Sequence, residues 1–515
     1  MVSAAHPLAA EAGYAVLKRG GTAIDAAVAV QATLGLVEPQ SSGIGGGAFL
    51  LYWSARDGTL TSYDGREAAP AAARPGRFLD AQGRPLAFFE AVVNGRSVGV
   101  PGVLRMLELA HREHGRLAWA ELFSDALFEA EEGFPLSPRL HASLEADRYL
   151  RNDPRARPLY YLPGGAARPA GTKIVNRAYG ATLRAIAARG ADAFYRGPIA
   201  RDIVRAVRAA SKAGDLAATD LADYRAVERK PVCGPYRRWR VCSMGPPSSG
   251  GVGVLQILGL LERSGFERAA PQSVEAIHLF SEAGRLAYAD RARYLADPAF
   301  VPVPLERLLC ASYLDQRAKL IGPRSMRLAV PGDTESHGTT HFSIVDAEGN
   351  AVAMTSTIEN AFGSRIMVRG FLLNNELTDY DFVPGGANQV EAGKRPRSSM
   401  APTMVFDAAG GGPTLVIGSP GGPFIINFVA RAIVARLDWG LDLQAALDGP
   451  NFGSRNGPTE IERGTAYEAL APALRARGHE VLARPMTSGL HAIERGPDGW
   501  RGAADSRREG VVLGD

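Results

Sequence analysis

Two adjacent threonines, Thr339 and Thr340, follow a glycine where a polar stretch gives way to a strand-like run. By itself this is ordinary, because threonine suits the start of a strand. Chemistry becomes available if the backbone breaks before Thr339, since that residue then carries an α-amine with a pKa of about 7.7–8.0. Such an amine can act as a general base for the hydroxyl of its own residue. Gly338 suits a cleavage site because it lacks a Cβ and tolerates strained backbone angles.

A predicted β-hairpin must position the first threonine. Two strand-like runs flank a turn at residues 347–350 (AEGN), and the polar stretch at 326–338 is predicted to be a loop. Pairing Asp346 with Ala351 places Thr340 opposite Thr357 and leaves Thr339 at the end of its strand. A slip of one residue would exchange the two faces.

Residues 338–346 (GTTHFSIVD) resemble the self-cleavage sequence of γ-glutamyltransferases, which cut themselves before the first threonine of this motif. Further similar segments run along almost the whole chain: residues 20–27 (GGTAIDAA), 43–49 (GIGGGAF), 98–102 (VGVPG) and 246–251 (PPSSGG). Together they look most similar to the bacterial branch of the family that lacks an export signal.

The resemblance implies cleavage between Gly338 and Thr339. The products would be a large subunit, residues 1–338, and a small subunit, residues 339–515, which form one intertwined fold. It also implies an α+β fold, the four-layer αββα sandwich of the N-terminal nucleophile hydrolases. The mixture of strands and helices along the sequence favours the same layered class.

Catalytic roles follow from the resemblance, residue by residue. Thr339 is the expected nucleophile, and Thr357 would support its amine. The motif GSPGGP contains Gly421 and Gly422, whose backbone N–H groups would form the oxyanion hole. Donors of this kind stabilise the charge that develops on a carbonyl oxygen under attack.

Substrate-binding roles are implied in the same way. Arg66 in the motif DGREAAP, with Ser398 and Ser399 in RPRSSMAPT, would hold the α-carboxylate of the substrate. Glu376 and Asp379 in LLNNELTD would hold its α-ammonium. A guanidinium grips a carboxylate through two parallel hydrogen bonds, so this arrangement would orient the substrate as well as bind it.

Two departures from the family pattern bear on the substrate. Glu359 stands where familiar transpeptidases carry Asn, so it either adds a third carboxylate near the ammonium, turns away, or serves a different acyl group. The segment at 380–397, which forms a longer lid in many transpeptidases, is short. A shorter lid predicts a more open, wetter pocket that favours water over an amine as acceptor.

The expected function is therefore hydrolysis or transfer of γ-glutamyl amides such as glutathione through a γ-glutamyl-Thr339 ester, with hydrolysis favoured. No metal or organic cofactor is expected, and the partners are the small-molecule substrate and the other half of an αβ heterodimer, with or without higher assembly. One alternative is an acylase for cephalosporin or glutaryl amides on the same fold. Another is an uncleaved, non-catalytic relative that binds a γ-glutamyl metabolite.

Composition narrows the class further. The chain has 515 residues with 58 basic and 54 acidic side chains, and this near balance argues against a nucleic-acid partner. No apolar run reaches the roughly 18 residues of a membrane span, so no membrane association is expected. The N-terminus shows no signal-peptide pattern, which predicts a cytoplasmic protein, or a periplasmic one if a targeting segment is missing. The three cysteines are expected to be buried thiols.

Three histidine features are weighed as decoys. His111 and His114 lie three apart on a predicted helix, which is the wrong spacing for a His-Glu-x-x-His metal motif. His341 shares the strand face of Thr339 but is expected to be structural. His337 is a weak candidate for tuning the cleavage.

Overall fold

The structure, a computed structural model, describes residues 1–326 and 337–515. Most of the loop expected at 326–338 lies outside these residues, as does the side chain of His337. Backbone pairing resumes at His337, which begins the strand that carries Thr339.

The strands of the described residues are numbered in chain order: β1 Val2–Ala4, β2 Gly47–Ser54, β3 Thr59–Gly65, β4 Phe134–Pro135, β5 Lys173–Ile174, β6 Val227–Arg229, β7 Val232–Tyr236, β8 Trp239–Ser243, β9 His337–Val345, β10 Ala351–Asn360, β11 Met367–Val368, β12 Phe371–Leu372, β13 Thr403–Asp407, β14 Pro413–Gly418, β15 Phe452–Ser454, β16 Thr459–Glu462, β17 Val481–Arg484, β18 His491–Gly496, β19 Gly499–Ala504 and β20 Val511–Leu513.

The α-helices are numbered likewise: α1 Pro7–Lys18, α2 Ala23–Val37, α3 Phe88–Val92, α4 Val103–His114, α5 Ser124–Glu132, α6 Pro138–Ala146, α7 Ala156–Tyr160, α8 Arg177–Arg189, α9 Asp192–Tyr195, α10 Gly197–Ala209, α11 Ala218–Asp223, α12 Gly250–Arg263, α13 Val274–Tyr294, α14 Leu305–Leu309, α15 Ala311–Ala318, α16 Ile425–Leu437, α17 Leu443–Asp448 and α18 Ala471–Ala476. Within the described residues, none of these helices has the length and apolar character needed to cross a bilayer.

Two large sheets form the centre of the molecule. The first has the order β20-β1-β9-β10-β2-β3-β6 and the second β19-β18-β14-β13-β8-β7. A small apolar cluster with side chains from both sheets, including Leu51, Val345, Met404 and Val416, joins their facing sides. Helices such as α2 and α4 cover the outer face of the first sheet, and α12, α13 and α16 cover that of the second. This is the predicted αββα sandwich.

Each large sheet contains strands from both sides of residue 338. In the first sheet, β9 from the later part of the chain lies between β10 and β1, which comes from the very start. In the second sheet, β13 from the later part pairs with β8 from the earlier part. The two segments therefore share their sheets and do not form separate domains.

Helix α2 begins at Ala23, after a cap formed by Thr22. The Thr22 hydroxyl accepts the Asp25 N–H, and the Asp25 carboxylate accepts the Thr22 N–H in return. This reciprocal capping box satisfies two N–H groups that the helix itself leaves unpaired. It fixes the start of a wholly buried helix that packs under the first sheet.

The predicted register of the β9–β10 hairpin is wrong by one residue. Val345 pairs with Ala351, so Thr339 lies directly opposite Thr357 and Thr340 opposite Ser356. The physical reason is Asp346, whose carboxylate accepts the backbone N–H groups of Glu348 and Asn350 and so belongs to the turn. The slip brings the two threonines of interest closer than expected.

The expectation of three buried thiols is also wrong. Cys233 and Cys242 form a disulfide across the β7–β8 hairpin, and Cys310 is an exposed free thiol. The reason is the tight turn after Tyr236, which pairs with Trp239 and thereby sets Cys233 directly opposite Cys242. Disulfides persist mainly in oxidising compartments, so the redox state of this cysteine pair depends on the compartment that contains the protein.

Thiol labelling tests this pairing. Before reduction, alkylation of the unfolded protein should modify one cysteine, Cys310, because the other two are joined. After reduction it should modify all three. Intact mass counts the added groups, and Cys310→Ser gives the matched control with none before reduction. Three modified cysteines without reductant, in protein purified from an oxidising compartment, would contradict the assignment.

Candidate active site

A pocket opens where β9 begins and β10 ends. It gathers residues that are far apart in the sequence: Arg66, Thr339, Thr357, Glu359, Glu376, Asp379, Ser398, Ser399, Met400, Gly422, Pro423 and Ile425. Among the predicted site residues whose burial the structure describes, only Gly421 is outside this lining, and it directly precedes Gly422, which belongs to it. Gly338 directly precedes Thr339 in β9. The structure thus brings the predicted residues together, while their chemical roles stay predictions.

Thr339 and Thr357 face each other across neighbouring strands. Their hydroxyl oxygens are 3.3 Å apart, and Thr357 Oγ1 also accepts the backbone N–H of Glu359 at 2.8 Å. The strand pairing shifts after Thr357, so Glu359 rather than Ile358 lies opposite Gly338. A β-bulge of this kind re-aims side chains at the end of a ladder.

Glu359 occupies the bulge with an unusual backbone. Its φ of +77° lies in the left-handed region, which costs a residue other than glycine about 1–3 kcal/mol. Its carboxylate accepts a hydrogen bond from the Asn375 side chain and lines the pocket with Glu376 and Asp379. Of the three options for Glu359, the structure therefore shows a third carboxylate in the pocket rather than one that turns away.

Arg66 lines the pocket and directly follows β3 in the chain. Its guanidinium contacts the carboxylates of Glu376 and Asp379, the latter at 2.5 Å, and donates to the carbonyls of Pro396 and Arg397. Burial lowers the pKa of Arg66, but the charges of Glu376 and Asp379 outweigh it and hold the group protonated. The two predicted ends of the substrate clamp are thus in contact with each other.

The serine pair is held by a residue that no motif singles out. Arg291, near the end of α13, donates to Ser399 Oγ at 2.9 Å and to Ser249 Oγ at 2.8 Å. Ser398 Oγ accepts the Met400 N–H, and its carbonyl accepts the N–H of Ser249. Arg291 therefore fixes the position of a side chain that is predicted to bind substrate.

The glycine pair forms the turn between β14 and α16. Gly421 has a φ of +132°, and a Cβ there would come within 2.5 Å of the Phe428 ring. Gly422 has a φ of +55° and starts the short 3₁₀ turn that leads into α16. The first N–H groups of such a helical segment have no partner within it, which suits them to bind an oxyanion.

The histidines behave as decoys. His341 is fully buried, and its two ring nitrogens bond Thr355 Oγ1 and Ser343 Oγ rather than Thr339. Burial, followed by the nearby His491, holds the pKa of His341 well below its usual range. A neutral ring that is hydrogen-bonded at both nitrogens agrees with the structural role expected for His341.

The two histidines of α4, His111 and His114, also bond to neighbouring protein groups. His114 Nε2 contacts the Tyr63 hydroxyl at 2.7 Å, and His111 Nε2 contacts the Leu117 carbonyl at 3.0 Å. Away from the pocket, His278, Glu282 and His479 come within 4.8 Å of one another and are the kind of cluster that can hold a metal. In this cluster, His278 Nδ1 and His479 Nε2 are hydrogen-bonded to each other at 2.8 Å.

Comparison with known proteins decides the family. The model of the gamma-glutamyltranspeptidase family matches residues 9–515. The chain belongs to the γ-glutamyltranspeptidase family. It is 37% identical to the glutathione hydrolase proenzyme of Bacillus subtilis (strain 168), over 100% of this chain and 91% of that protein. It is 36% identical to the Acylase ACY 1 proenzyme of Pseudomonas sp. (strain SE83), over 100% and 93%.

A solved structure gives the same result for the fold. The crystal structure of a cephalosporin acylase from Bacillus halodurans superposes with a TM-score of 0.88 at 29% identity, over 99% of this chain and 95% of that one. Membership of the γ-glutamyltranspeptidase family makes the chain an enzyme of the hydrolase and transferase type. It also supports a processed precursor.

Arg508 is a further residue that the sequence did not reveal. It comes seven residues before the end of the sequence, outside every family-like motif, yet its guanidinium donates to the carbonyls of Thr339, Thr487 and Ser488 at 2.9–3.2 Å. In this member of the γ-glutamyltranspeptidase family, the segment that carries Arg508 therefore fixes the backbone of the candidate nucleophile.

Replacing Arg508 should destabilise the enzyme. Arg508→Met keeps much of the stem but removes the donors to three carbonyls, so we expect a loss of about 2–3 kcal/mol in the free energy of unfolding. Arg501→Met, at an exposed site on β19, should change it by less than about 0.5 kcal/mol. Denaturant titration measures both. Equal effects of the two substitutions would show that the bonds to Thr339 and its neighbours contribute nothing specific.

Proposed function

We propose that this γ-glutamyltranspeptidase cleaves itself before Thr339 and then hydrolyses γ-glutamyl amides such as glutathione through a γ-glutamyl-Thr339 ester. The observation that carries the proposal is the pairing of Thr339 with Thr357, 3.3 Å apart, in the lining of a pocket that also holds Arg66, Glu376 and Asp379. A nucleophile thus faces a binding region with both signs of charge.

Self-cleavage would begin with attack of Thr339 Oγ1 on the carbonyl carbon of Gly338. The C–N bond of the peptide breaks as the C–O bond of an ester between the two residues forms. The proton of the Thr339 hydroxyl passes to the Thr339 nitrogen, which becomes a free amine. Water then hydrolyses the ester. This leaves residues 1–338 with a new carboxylate and residues 339–515 with an N-terminal threonine, an αβ heterodimer in one fold.

In turnover, the amine of Thr339 would accept the proton of its own hydroxyl as Oγ1 attacks the γ-carbonyl of the substrate. The N–H groups of Gly421 and Gly422 would receive the oxyanion, which is stabilised by about 3–4 kcal/mol per donor in comparable sites. The leaving amine takes the proton, and water resolves the γ-glutamyl ester. Thr357 would hold the amine in place.

Substrate binding would exchange contacts within the charged cluster. Arg66 now contacts Glu376 and Asp379, so a zwitterionic substrate replaces these contacts with its own α-carboxylate and α-ammonium. Ser399, held by Arg291, would add a hydrogen bond to the carboxylate. Gripping both charges fixes the position of the γ-carbonyl relative to Thr339.

Two features support hydrolysis over transfer. The segment at 380–397 contains no helix or strand in the described structure and leaves the Asp379 side chain 28% exposed, while Arg66 beside it is 1% exposed. Water therefore reaches the ammonium side of the pocket. A wet pocket favours water as the acceptor of the acyl group.

The two adjacent threonines offer a matched pair of variants. Thr339→Val removes the proposed nucleophile with little change in shape, so the chain should remain a single 515-residue polypeptide and turnover should fall to background. Thr340→Val changes a buried residue on the opposite face of the same strand and should still yield two fragments and an active enzyme. Denaturing gels and γ-glutamyl-p-nitroanilide turnover measure both. A wild type that stays intact yet active would overturn the mechanism, and one that stays intact and inactive would favour the non-catalytic alternative.

An acylase acting on cephalosporin or glutaryl amides is the second candidate function. Two relatives that match over nearly the whole chain are acylases by name. The pocket itself favours the γ-glutamyl substrate, because three carboxylates surround the position proposed for an α-ammonium.

Paired substrates separate the two functions. Glutaryl-p-nitroanilide keeps the carboxylate and lacks only the α-amine, which the acidic side of the charged cluster would bind. Losing one buried charge-assisted contact costs about 1.5–3 kcal/mol, so kcat/KM should be about 10- to 100-fold lower than for γ-glutamyl-p-nitroanilide. Equal or faster turnover of the glutaryl substrate would favour the acylase.

A further inference from the structure

Glu67 is a buried carboxylate that no role described so far uses. It follows Arg66 in the chain, and its side chain is 0% exposed. Neither of its oxygens has a hydrogen-bond partner among the described residues, when carboxylates are counted only as acceptors. A carboxylate in this position must either carry an uncompensated charge or hold a proton.

The neighbours of Glu67 do not supply a donor. The nearest cation is Arg66, but its Nη1 lies 4.0 Å from Glu67 Oε2, too far for a hydrogen bond, and contacts Glu376 Oε1 instead. On the other side Glu67 lies against Gly47, where even a Cβ would come within 2.2 Å of Oε2. Apart from its own backbone N–H and the carboxyl group of Glu376, the described residues around the Glu67 carboxyl group offer it no hydrogen-bond donor.

Glu376 completes the cluster. It is 1% exposed, one of its oxygens contacts Arg66, and the other oxygen also lacks a donor among the described residues. The groups that face this pair are Arg66, Asp379, Glu359 and the hydroxyl of Tyr224, which donates to the Arg66 carbonyl. Arg66 therefore stands against four carboxylates, three of them almost fully buried, while a second guanidinium, that of Arg291, acts electrostatically on the partly exposed Asp379.

We propose that Glu67 and Glu376 share one proton in the substrate-free enzyme, and that the α-ammonium of a substrate displaces this proton into solvent when it binds. The inference rests on the proposed function, since it requires Glu376 to receive the ammonium. Glu67 is then a positioning residue: it holds Glu376 through the shared proton and does not itself touch the substrate.

Charge arithmetic supports the exchange. With one shared proton, the excess of carboxylates over cations is reduced without any ligand. The incoming ammonium supplies the same positive charge at the same carboxylate, so proton and ammonium compete. The direction of the pKa values agrees, because burial raises the pKa of Glu67 to about 8, and burial together with the charge of Glu67 raises that of Glu376.

The pH dependence follows with a definite sign. Below about pH 8 the free pair holds the proton and the complex does not, so each unit rise in pH should strengthen binding, by up to about tenfold. Above that pH the free pair has already lost its proton, and the affinity should level off. Glutamine at position 67 cannot release a proton, so Glu67→Gln should remove this slope.

Titration calorimetry with L-glutamate tests the inference on the wild-type enzyme. The heat of binding is measured in phosphate and in Tris, which differ in ionisation enthalpy, so the difference counts the protons released. We expect about one proton per L-glutamate near pH 7 and a dissociation constant that falls five- to tenfold between pH 6.5 and 7.5. Glutarate, which lacks the ammonium, should release none.

Variants then locate the proton. Glu67→Gln should bind L-glutamate with no proton release, whereas Glu121→Gln, at an exposed position between α4 and α5, should match the wild type. Binding of L-glutamate without proton release in the wild type would overturn the inference and leave the proposed function standing, as would release that survives in Glu67→Gln. No binding of L-glutamate and no turnover of γ-glutamyl-p-nitroanilide would instead overturn the proposed function and the inference with it. If Glu67→Gln does not fold, the wild-type comparison of L-glutamate with glutarate still decides.

Discussion

The pairing of β9 on both of its edges is the constraint on which the candidate active site depends. β1 flanks it on one side and β10 on the other, so the strand that starts at the predicted cleavage site is an interior strand of a seven-stranded sheet. Interior strands have their backbone groups bonded in both directions, which limits their movement. Thr339 lies three residues before the part of β9 that β1 pairs and opposite Thr357 of β10, so it would keep its position if the chain before it were cut. Arg508 adds a bond to its carbonyl.

The charged cluster imposes a second constraint of a different kind. Burying one guanidinium with several carboxylates is costly unless each charge is compensated, and here the compensation is incomplete until something positive arrives. A pocket of this kind is stable enough to fold yet disposed to accept a zwitterion. Under the proposed function, its preference for such a substrate would come from an imbalance of charge inside the protein rather than from close fit to a particular shape.

Much of this could be read from the sequence, and the limits have physical causes. The layered fold and most of the pocket were predictable because short motifs such as DGREAAP and RPRSSMAPT resemble a known family, and the structure brings Arg66 and Ser398 into one pocket. The hairpin register was missed because Asp346 bonds its own turn. The disulfide was missed because pairing depends on a two-residue turn whose geometry is not written in the spacing of the cysteines. Arg291 was invisible because a lone arginine on a long helix has no signature, and only folding places it beside Ser399.

The sharing of strands between the two segments has a consequence for the lifetime of the molecule. After a cut before Thr339, the two polypeptides would not meet across an ordinary interface, because β9 lies between β10 and β1, and β13 pairs with β8. Neither product would hold all the strands of either large sheet, so separating them means taking both large sheets apart. Dilution dissociates ordinary heterodimers by mass action, but it should not separate these two polypeptides. Two molecules should also not exchange their halves while they remain folded.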